Sequence, residues 1–521
     1  MKKELVPFEK TGAFSSFFMD YILQKPELKP FYSRYPAVEN FRNQIEEKGK
    51  SFSPEIRKSL SGVLEKQYAG VEPAEPVLKN IQALGNDKTF TIVTGHQLNI
   101  FSGPLYFIYK IVSAINTCRA LKQSYPEFHF VPVYWMASED HDFEEISCFR
   151  LMDKKYCWKT TQTGAVGRMN LSELLPLIPE IPGNTEPFAS AYRSSQTLAE
   201  AVRKYVHALF GKDGLVVVDA DDRELKSHFS PVMEADVLNG VPHQLAEETG
   251  KELRSAGYEP QVLVRPVNFF YLDNGVRERI EKRGDDFVVS EAGLKFSEKE
   301  IREIILKTPE KLSPNVILRP LYQETILPNL AYIGGPAEMV YWLQLKKVFE
   351  HFSTPFPVLM PRNFGLVADA PSTRLLKKSG ISLQELFSEK HILLNEVAKR
   401  NSTIPLTLEK QRAEFERLMI SIREQAIAID PTLSKMADAG LHRIKQATEK
   451  IEHKMLRAEK KKGSDSIRQA ETLKNKLFPG GGLQERTDNL LNFYQTDRQF
   501  IDHLAEAFDP FDFRFIVLLY E

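Results

Sequence analysis

Two stretches decide the fold. Thr89-Phe90-Thr91-Ile92-Val93 runs into Thr94-Gly95-His96-Gln97, and beyond it Leu105, Ile108, Tyr109, Val112 and Ile115 recur at helical spacing. The order is strand, loop, helix. The second stretch, Phe130-Val131-Pro132-Val133-Tyr134-Trp135-Met136, is too apolar for a strand with one wet face. It predicts a central strand buried on both sides, although Pro132 argues against ladder pairing. Further strands are expected at Gly214–Asp219, Gln261–Arg265, Phe269–Leu272, Val316–Leu318, Tyr332–Ile333 and Val358–Met360, with helical patterns after several of them. This alternation is the α/β signature. Residues 150–310 are less regular and read as an insertion, with Asp273-Asn274-Gly275 offering a hairpin turn.

Composition narrows the function classes. Lys plus Arg total 69 against 70 Asp plus Glu in 521 residues, a net charge of -1. No basic excess favours nucleic acid or an anionic membrane as partner. The N-terminus lacks a signal-peptide apolar stretch, and no window approaches the ~20 apolar residues that span a bilayer. Cys118, Cys148 and Cys157 show no CxxC spacing, so neither a disulfide framework nor a zinc site is expected, which fits a reducing cytoplasm.

After Gly380 the pattern turns helical. Ser382 and Glu385 match a capping box. Leu408, Phe415, Ile422 and Ile429 fall one heptad apart with Leu418 between, and Leu441, Ile444, Thr448, Ile451, Met455 and Ala458 follow Pro431 in steps of three and four. Two such stripes predict an antiparallel helical hairpin. The helix from Leu406 to Ile429 alone would reach roughly 35 Å, long enough to project from the core. An amphipathic helix is expected over Leu490–Leu504, and Phe513–Tyr520 reads as a buried strand returning to the core. The chain therefore divides into a core (1–383), a helical arm (384–476) and a returning segment (477–521).

Several segments carry candidate chemistry. Thr94-Gly95-His96-Gln97, at a strand-to-helix junction, suits phosphate, with Gly103 and Lys110 further along the same unit. The acids of Ser138-Glu139-Asp140-His141-Asp142, closing the second strand, suit acid–base work, recognition of an ammonium group or a divalent cation; a helix-capping role is the structural alternative. Arg319, with Gln323 behind it, could clamp a carboxylate or phosphate, or pair with Glu324 or Glu338. Gly334 and Gly335 permit close backbone approach, Glu338 could bind an amine, and Arg362 sets another cation after an apolar run. Gly480-Gly481-Gly482 is either an anion cradle or a joint. No Gly-x-Ser-x-Gly elbow, GxGxxG or P-loop is present.

Taken together, Thr94–Gln97 with Gly103-Pro104-Leu105-Tyr106 and Tyr109-Lys110, Ser138–Asp142, Ser313-Pro314-Asn315-Val316-Ile317-Leu318-Arg319-Pro320, Ala331-Tyr332-Ile333-Gly334-Gly335-Pro336, and Leu477–Arg486 resemble the cysteine ligase family of bacillithiol biosynthesis, the BshC family. The resemblance implies a Rossmann-like, nucleotidyltransferase-like parallel-sheet core with inserted connecting segments and a coiled-coil domain that dimerises. It implies ligation of L-cysteine to the amine of glucosaminyl-malate, with ATP, and Mg2+ alongside it, as the activating cosubstrate and no tightly bound metal. On that scheme His96, Asp140, His141 and Asp142 are catalytic; Glu139, Arg319, Gln323, Gly334, Gly335, Glu338 and Arg362 bind substrate; Thr94, Gly95, Gln97, Gly103, Lys110 and Gly480–Gly482 hold nucleotide. His96 and Ala337 depart from the pattern, which more often has Gln and Gly there, and no Lys-Met-Ser-Lys-Ser loop is present. A nucleotide-binding scaffold for the same pathway and a metal-dependent hydrolase stay open as alternatives.

Overall fold

The computed structural model describes residues 1–521 apart from Asn274. Five parallel strands form the central sheet: β1 (Thr89–His96), β2 (His129–Met136), β3 (Val216–Asp219), β4 (Asn329–Gly334) and β5 (Val358–Pro361). Their spatial order is β5-β4-β1-β2-β3. The chain winds outward from β1 to β3 and then restarts on the other side at β4, so the order reverses between β1 and β4. In doubly wound sheets that reversal opens a crevice at the carboxyl ends of the strands. The register brings those ends level, with His96 opposite Met136, Met136 opposite Asp219, and Gly334 opposite Pro361.

Pro132 is accommodated because β3 pairs with β2 only from Val133 onward. That leaves one edge of β2 open at the proline, the setting in which a strand tolerates a residue without an N–H. The helix after β1, α1 (Tyr106–Ser124), is buried along most of both faces, packed between the sheet and the helix Phe500–Ala507. Two short helices complete the crevice: α2 (Arg319–Ile326) and α3 (Pro336–Trp342).

Several sequence expectations need correction. Val316–Leu318 is a turn that leads into α2, and the neighbouring strand is Leu312–Pro314; Gln261–Arg265 forms no strand. Apolar runs of three to five residues do not distinguish a strand from a packed turn. The region 150–310 is not only decoration, because it supplies β3. Strands Phe269–Asp273 and Val276–Arg279 pair antiparallel, as the hairpin reading requires, but Asn274 at its turn lies outside the described residues.

The cysteines differ too. Cys148 and Cys157 lie opposite each other in the antiparallel hairpin Cys148–Leu151/Lys154–Cys157 and form a disulfide, while Cys118 is free and buried. The turn of this hairpin places Met152 and Asp153 at positive φ, a conformation usually signalled by Asn-Gly, so no turn motif marked the register. The pairing removes the cysteine argument for a reducing compartment. Among the described residues, no helix is long and apolar enough to cross a membrane.

Strand Arg514–Leu519 pairs with both Lys2–Pro7 and Gly365–Ala368, so the returning segment joins the chain's two ends in a second, three-stranded sheet. The helix expected over Leu490–Leu504 is split into Leu491–Tyr494 and Phe500–Ala507. The capping box at Ser382 and Glu385 forms, but on a helix of only five residues.

The arm is an antiparallel pair, α4 (Glu409–Ile429) and α5 (Ser434–Lys462), turned by Pro431–Leu433. Ion pairs Arg412–Glu452 (2.8 Å) and Arg423–Asp438 (2.9 Å) fix its alignment. The heptad stripe does not form the seam between the two helices. Phe415, Leu418, Ile422 and Ile429 are exposed, and no residue of α4 is buried.

Candidate active site

A cavity of about 390 Å³ opens at the reversal point between β1 and β4. Gly95, His96 and Gln97 supply one wall, Gly335 and Glu338 the opposite one, and Glu139 and Asp140 the end of β2. Lys110, Arg319 and Arg362 also face it. The separated sequence blocks thus converge on one rim. A Cβ placed on Gly95 would lie 3.3 Å from the Tyr332 hydroxyl and 3.7 Å from Arg319 Nη1, so the glycine lets these groups close over the strand end.

The back of the cavity is a closed polar unit. Lys110 reaches out of α1 to donate to the Gly95 carbonyl at 2.8 Å and to pair with Glu338 at 2.6 Å. Glu338 also accepts from the Tyr332 hydroxyl (2.9 Å) and the Gly335 N–H (2.7 Å). Burial alone would raise its pKa, but Lys110 and these donors outweigh it and hold the carboxyl below its ordinary range. Glu338 is therefore a spoken-for carboxylate that fixes Lys110, which argues against its expected part as an open amine site.

Asp140 is likewise engaged. Its Oδ1 accepts from Arg277 Nη1 (3.0 Å) and the His141 N–H (2.8 Å), and its Oδ2 from Gln97 Nε2 (2.7 Å). Burial opposes its charge, yet His141, Arg277 and Gln97 keep its pKa well below the usual carboxylate range. Such a group orients its neighbours and is a poor proton acceptor. Arg277 also lies 2.6 Å from His141 Nδ1 and stacks over Phe270 at 4.2 Å. Glu139 pairs with the buried Lys226 at 2.5 Å. Asp142 is an N-cap, accepting from Glu145 N, so for this residue the capping alternative is what the structure contains.

Arg319 differs from all of these. Its guanidinium donates to Gln323 Oε1 (3.1 Å) and the Tyr341 hydroxyl (3.3 Å) and stacks over Tyr332 and Trp342. The carboxylate that could have neutralised it, Glu324, is taken by Lys48 at 3.3 Å, and Glu338 is taken by Lys110. Among the described residues, no carboxylate forms an ion pair with Arg319. A cation held by neutral groups at a cavity wall keeps its charge available to an anion. Arg486 adds a second such charge at the mouth. Glu145 lines the same cavity, and its pKa is raised by burial and by Asp140 and Asp142.

Other expected residues fall elsewhere. The Thr94 hydroxyl donates to the Ile333 carbonyl inside the sheet. Gln323 holds Arg319 from behind, and Gly334 accepts the Arg362 N–H at the sheet edge. The helix-start cradle expected at Thr94–Gln97 is absent, because β1 continues to His96 and α1 begins only at Tyr106. Gly103 has φ +58 in a loop pinned by Asn489 and faces a neighbouring cleft. Gly480, Gly481 and Gly482 are exposed and line no part of the cavity. What their block contributes is the two residues beyond: Glu485, buried against Arg362 at 2.5 Å, and Arg486. Arg277, Glu145, Tyr106, Tyr341 and Arg486 were missed. Arg277 sits in a segment without motif character, whereas Tyr106 and Arg486 belong to blocks that carry the resemblance, Tyr341 follows the Gly334–Glu338 segment and Glu145 lies just beyond the acids of Ser138–Asp142.

His96 stacks on Phe107 with ring centroids 5.0 Å apart, and its buried Nε2 has no hydrogen-bond partner among the described residues. Burial and then Lys110 push its pKa down to about 3, so the imidazole is neutral at working pH. The unfolded chain binds this proton near pH 6.5 and the folded one only near 3, so stability is lost as pH falls through that window. His96→Gln should flatten the slope of stability against pH between 6 and 4 by up to one proton, about 1.4 kcal/mol per pH unit. Urea midpoints across that range, matched between the two proteins, measure it; an unchanged slope contradicts the assignment.

Residues 1–363 match the family described as Bacillithiol biosynthesis BshC, N-terminal Rossmann-like domain, and residues 365–520 its C-terminal coiled-coil domain. The chain belongs to the BshC family. Relatives named "Putative cysteine ligase BshC" include those of Flavobacterium psychrophilum, 39% identical over 530 residues and 99% of each chain, and Cytophaga hutchinsonii, 39% identical over 521 residues and 99% of each. A more distant one, from Chlorobaculum tepidum, is 30% identical over 474 residues, 84% of each chain. The BshC domain division, after residue 363, falls between β5 and the second sheet.

Proposed function

We propose that this chain is a ligase joining the carboxyl of L-cysteine to the amine of glucosaminyl-malate. The observation that carries the reading is that Arg319, which forms no ion pair with a carboxylate among the described residues, lines the same cavity as Glu145 at the sheet's reversal point. Such a site takes a substrate that bears both carboxylate and amine. Arg319 and Arg486 bind the malate carboxylates or a phosphoryl group, and Glu145, with its raised pKa, accepts the proton released when the amine nitrogen bonds to the carboxyl carbon. Asp140, Arg277 and Gln97 hold the loop that presents Glu145.

Amide formation needs an activated carboxyl, which ATP would supply as an acyl adenylate with loss of pyrophosphate. The buried atoms His96 Nε2, Gln97 Oε1 and Arg362 Nε beside the cavity, which have no hydrogen-bond partner among the described residues, fit a polar ligand of that kind. The metal-dependent hydrolase fits less well, because Glu139 and Asp140 already carry Lys226 and Arg277. Incubating the protein with cysteine, glucosaminyl-malate and Mg-ATP should give a thiol product of the summed mass less one water. No product under any nucleotide condition, from correctly folded protein, rejects the reading.

The exposed stripe of Phe415, Leu418 and Ile422 supports dimerisation through a second copy of the arm. Phe415→Glu with Ile422→Glu should shift the sedimenting species from dimer to monomer. Wild-type protein that sediments as a monomer at micromolar concentration refutes the dimer.

A further inference from the structure

A second cleft, of about 340 Å³, adjoins the cavity, and Arg486 lines both. Its other wall is one face of the hairpin Cys148–Leu151/Lys154–Cys157. The register sets Cys148 opposite Cys157 and Arg150 opposite Lys155. Because side chains alternate along a strand, these four residues share a face. Phe149 and Tyr156, stacked on the other face, anchor the hairpin in the core. Cys148 reaches the cleft with Arg150 and Lys155, and both cysteines are half-buried rather than sealed.

The charge around this disulfide is unbalanced. Among the described residues, Lys155 and Arg486 make no side-chain hydrogen bond or ion pair, and Arg150 donates to the carbonyl of the exposed Asp153 at 3.4 Å, lies 3.8 Å from its carboxylate and acts electrostatically on Asp488, which leaves the cations in excess. Cations beside a disulfide attract an anionic thiolate and stabilise the thiolate that leaves.

We propose that the Cys148–Cys157 disulfide is an exchange site for a small thiol that carries carboxylates, bound by Arg150, Lys155 and Arg486. The incoming thiolate bonds to Cys148 Sγ, the bond to Cys157 breaks, and Cys157 leaves as a thiolate that takes a proton from water. A second thiol molecule attacks the sulfur of the first, freeing Cys148 as a thiol and releasing the small disulfide. The product of the ligation proposed above, a thiol with two carboxylates, belongs to this class. That one link rests on the ligase reading, whereas the exchange site itself does not.

The probe is mercaptosuccinate, a dicarboxylate thiol, with neutral 2-mercaptoethanol as the control; neither requires ligase activity, so failure here and failure of ligation are separable. Protein purified in air should carry no free thiol at Cys148 or Cys157, and mercaptosuccinate should give a transient adduct on the Cys148 peptide. Arg150→Gln with Lys155→Gln should slow opening by mercaptosuccinate at least about fivefold more than it slows opening by 2-mercaptoethanol, which shares the thiolate steps but not the carboxylate contacts. On the unmodified protein, raising salt from about 0.02 to 0.5 M should slow the dicarboxylate reaction more than the 2-mercaptoethanol reaction. Free thiols at both positions before reduction, equal effects of the substitutions on both probes, or a salt-independent mercaptosuccinate rate overturns the proposal.

Discussion

Arg319→Gln is expected to lower kcat/KM for ligation by about 100- to 1,000-fold, equivalent to about 3–4 kcal/mol of lost binding in the transition state. The magnitude follows from its setting. The guanidinium is held by Gln323, Tyr341 and two aromatic faces rather than by a carboxylate, so its charge is available to the ligand. Arg319→Lys should recover little, because a single ammonium cannot keep the bonds to Gln323 and Tyr341 and also meet a planar anion. No carboxylate is left orphaned, so the thermal midpoint should barely move while activity falls. Steady-state kinetics with each substrate varied in turn check this; near-wild-type kcat/KM in a folded Arg319→Gln protein removes Arg319 from the site.

Glu485→Ala should have the largest effect on stability, about 3–5 kcal/mol. Glu485 is fully buried, with one oxygen on Arg362 Nη2 (2.5 Å) and the other on the Gly365 N–H (2.9 Å). Its removal strands a guanidinium that is itself 3% exposed, together with a buried backbone donor. Glu485→Gln should cost less, since the amide oxygen still accepts one of these bonds. Replacing the pair by Arg362→Met with Glu485→Leu should recover part of the loss, as apolar replacements of buried ion pairs often do. Urea unfolding followed by circular dichroism reads the series. A Glu485→Ala midpoint equal to wild type means that this contact does not tie the returning segment to the sheet.

These two residues show how differently parts of the site were legible. Arg319 stood out because a cation after an apolar run near the end of a predicted element is a pattern that chain order preserves. Its open choice between ligand and ion pair could not be read from order, because the answer depended on Lys48 and Lys110, which arrive from distant helices to occupy Glu324 and Glu338. Glu485 was noticed only as part of a block beside three glycines, and the glycines drew the functional reading. The glycines remain at the surface, while the acid beyond them closes a buried pair and the arginine after it reaches the cavity mouth.

For the arm the sequence determined two antiparallel helices but not the seam between them, since the heptad stripe is exposed, whereas the strands β1 and β2, the helix after β1 and the returning C-terminal strand were determined by the sequence alone. Each depends on local periodicity, and burying a periodic apolar face leaves little freedom of conformation. Tertiary structure decided what lies at the strand ends: that Asp140 and Glu338 are neutralised, that Arg319 is not, and that Cys148 meets Cys157. Those outcomes are charge and distance relations between segments far apart in the chain, and electrostatic partners at about 3 Å are set by packing geometry that no local pattern records.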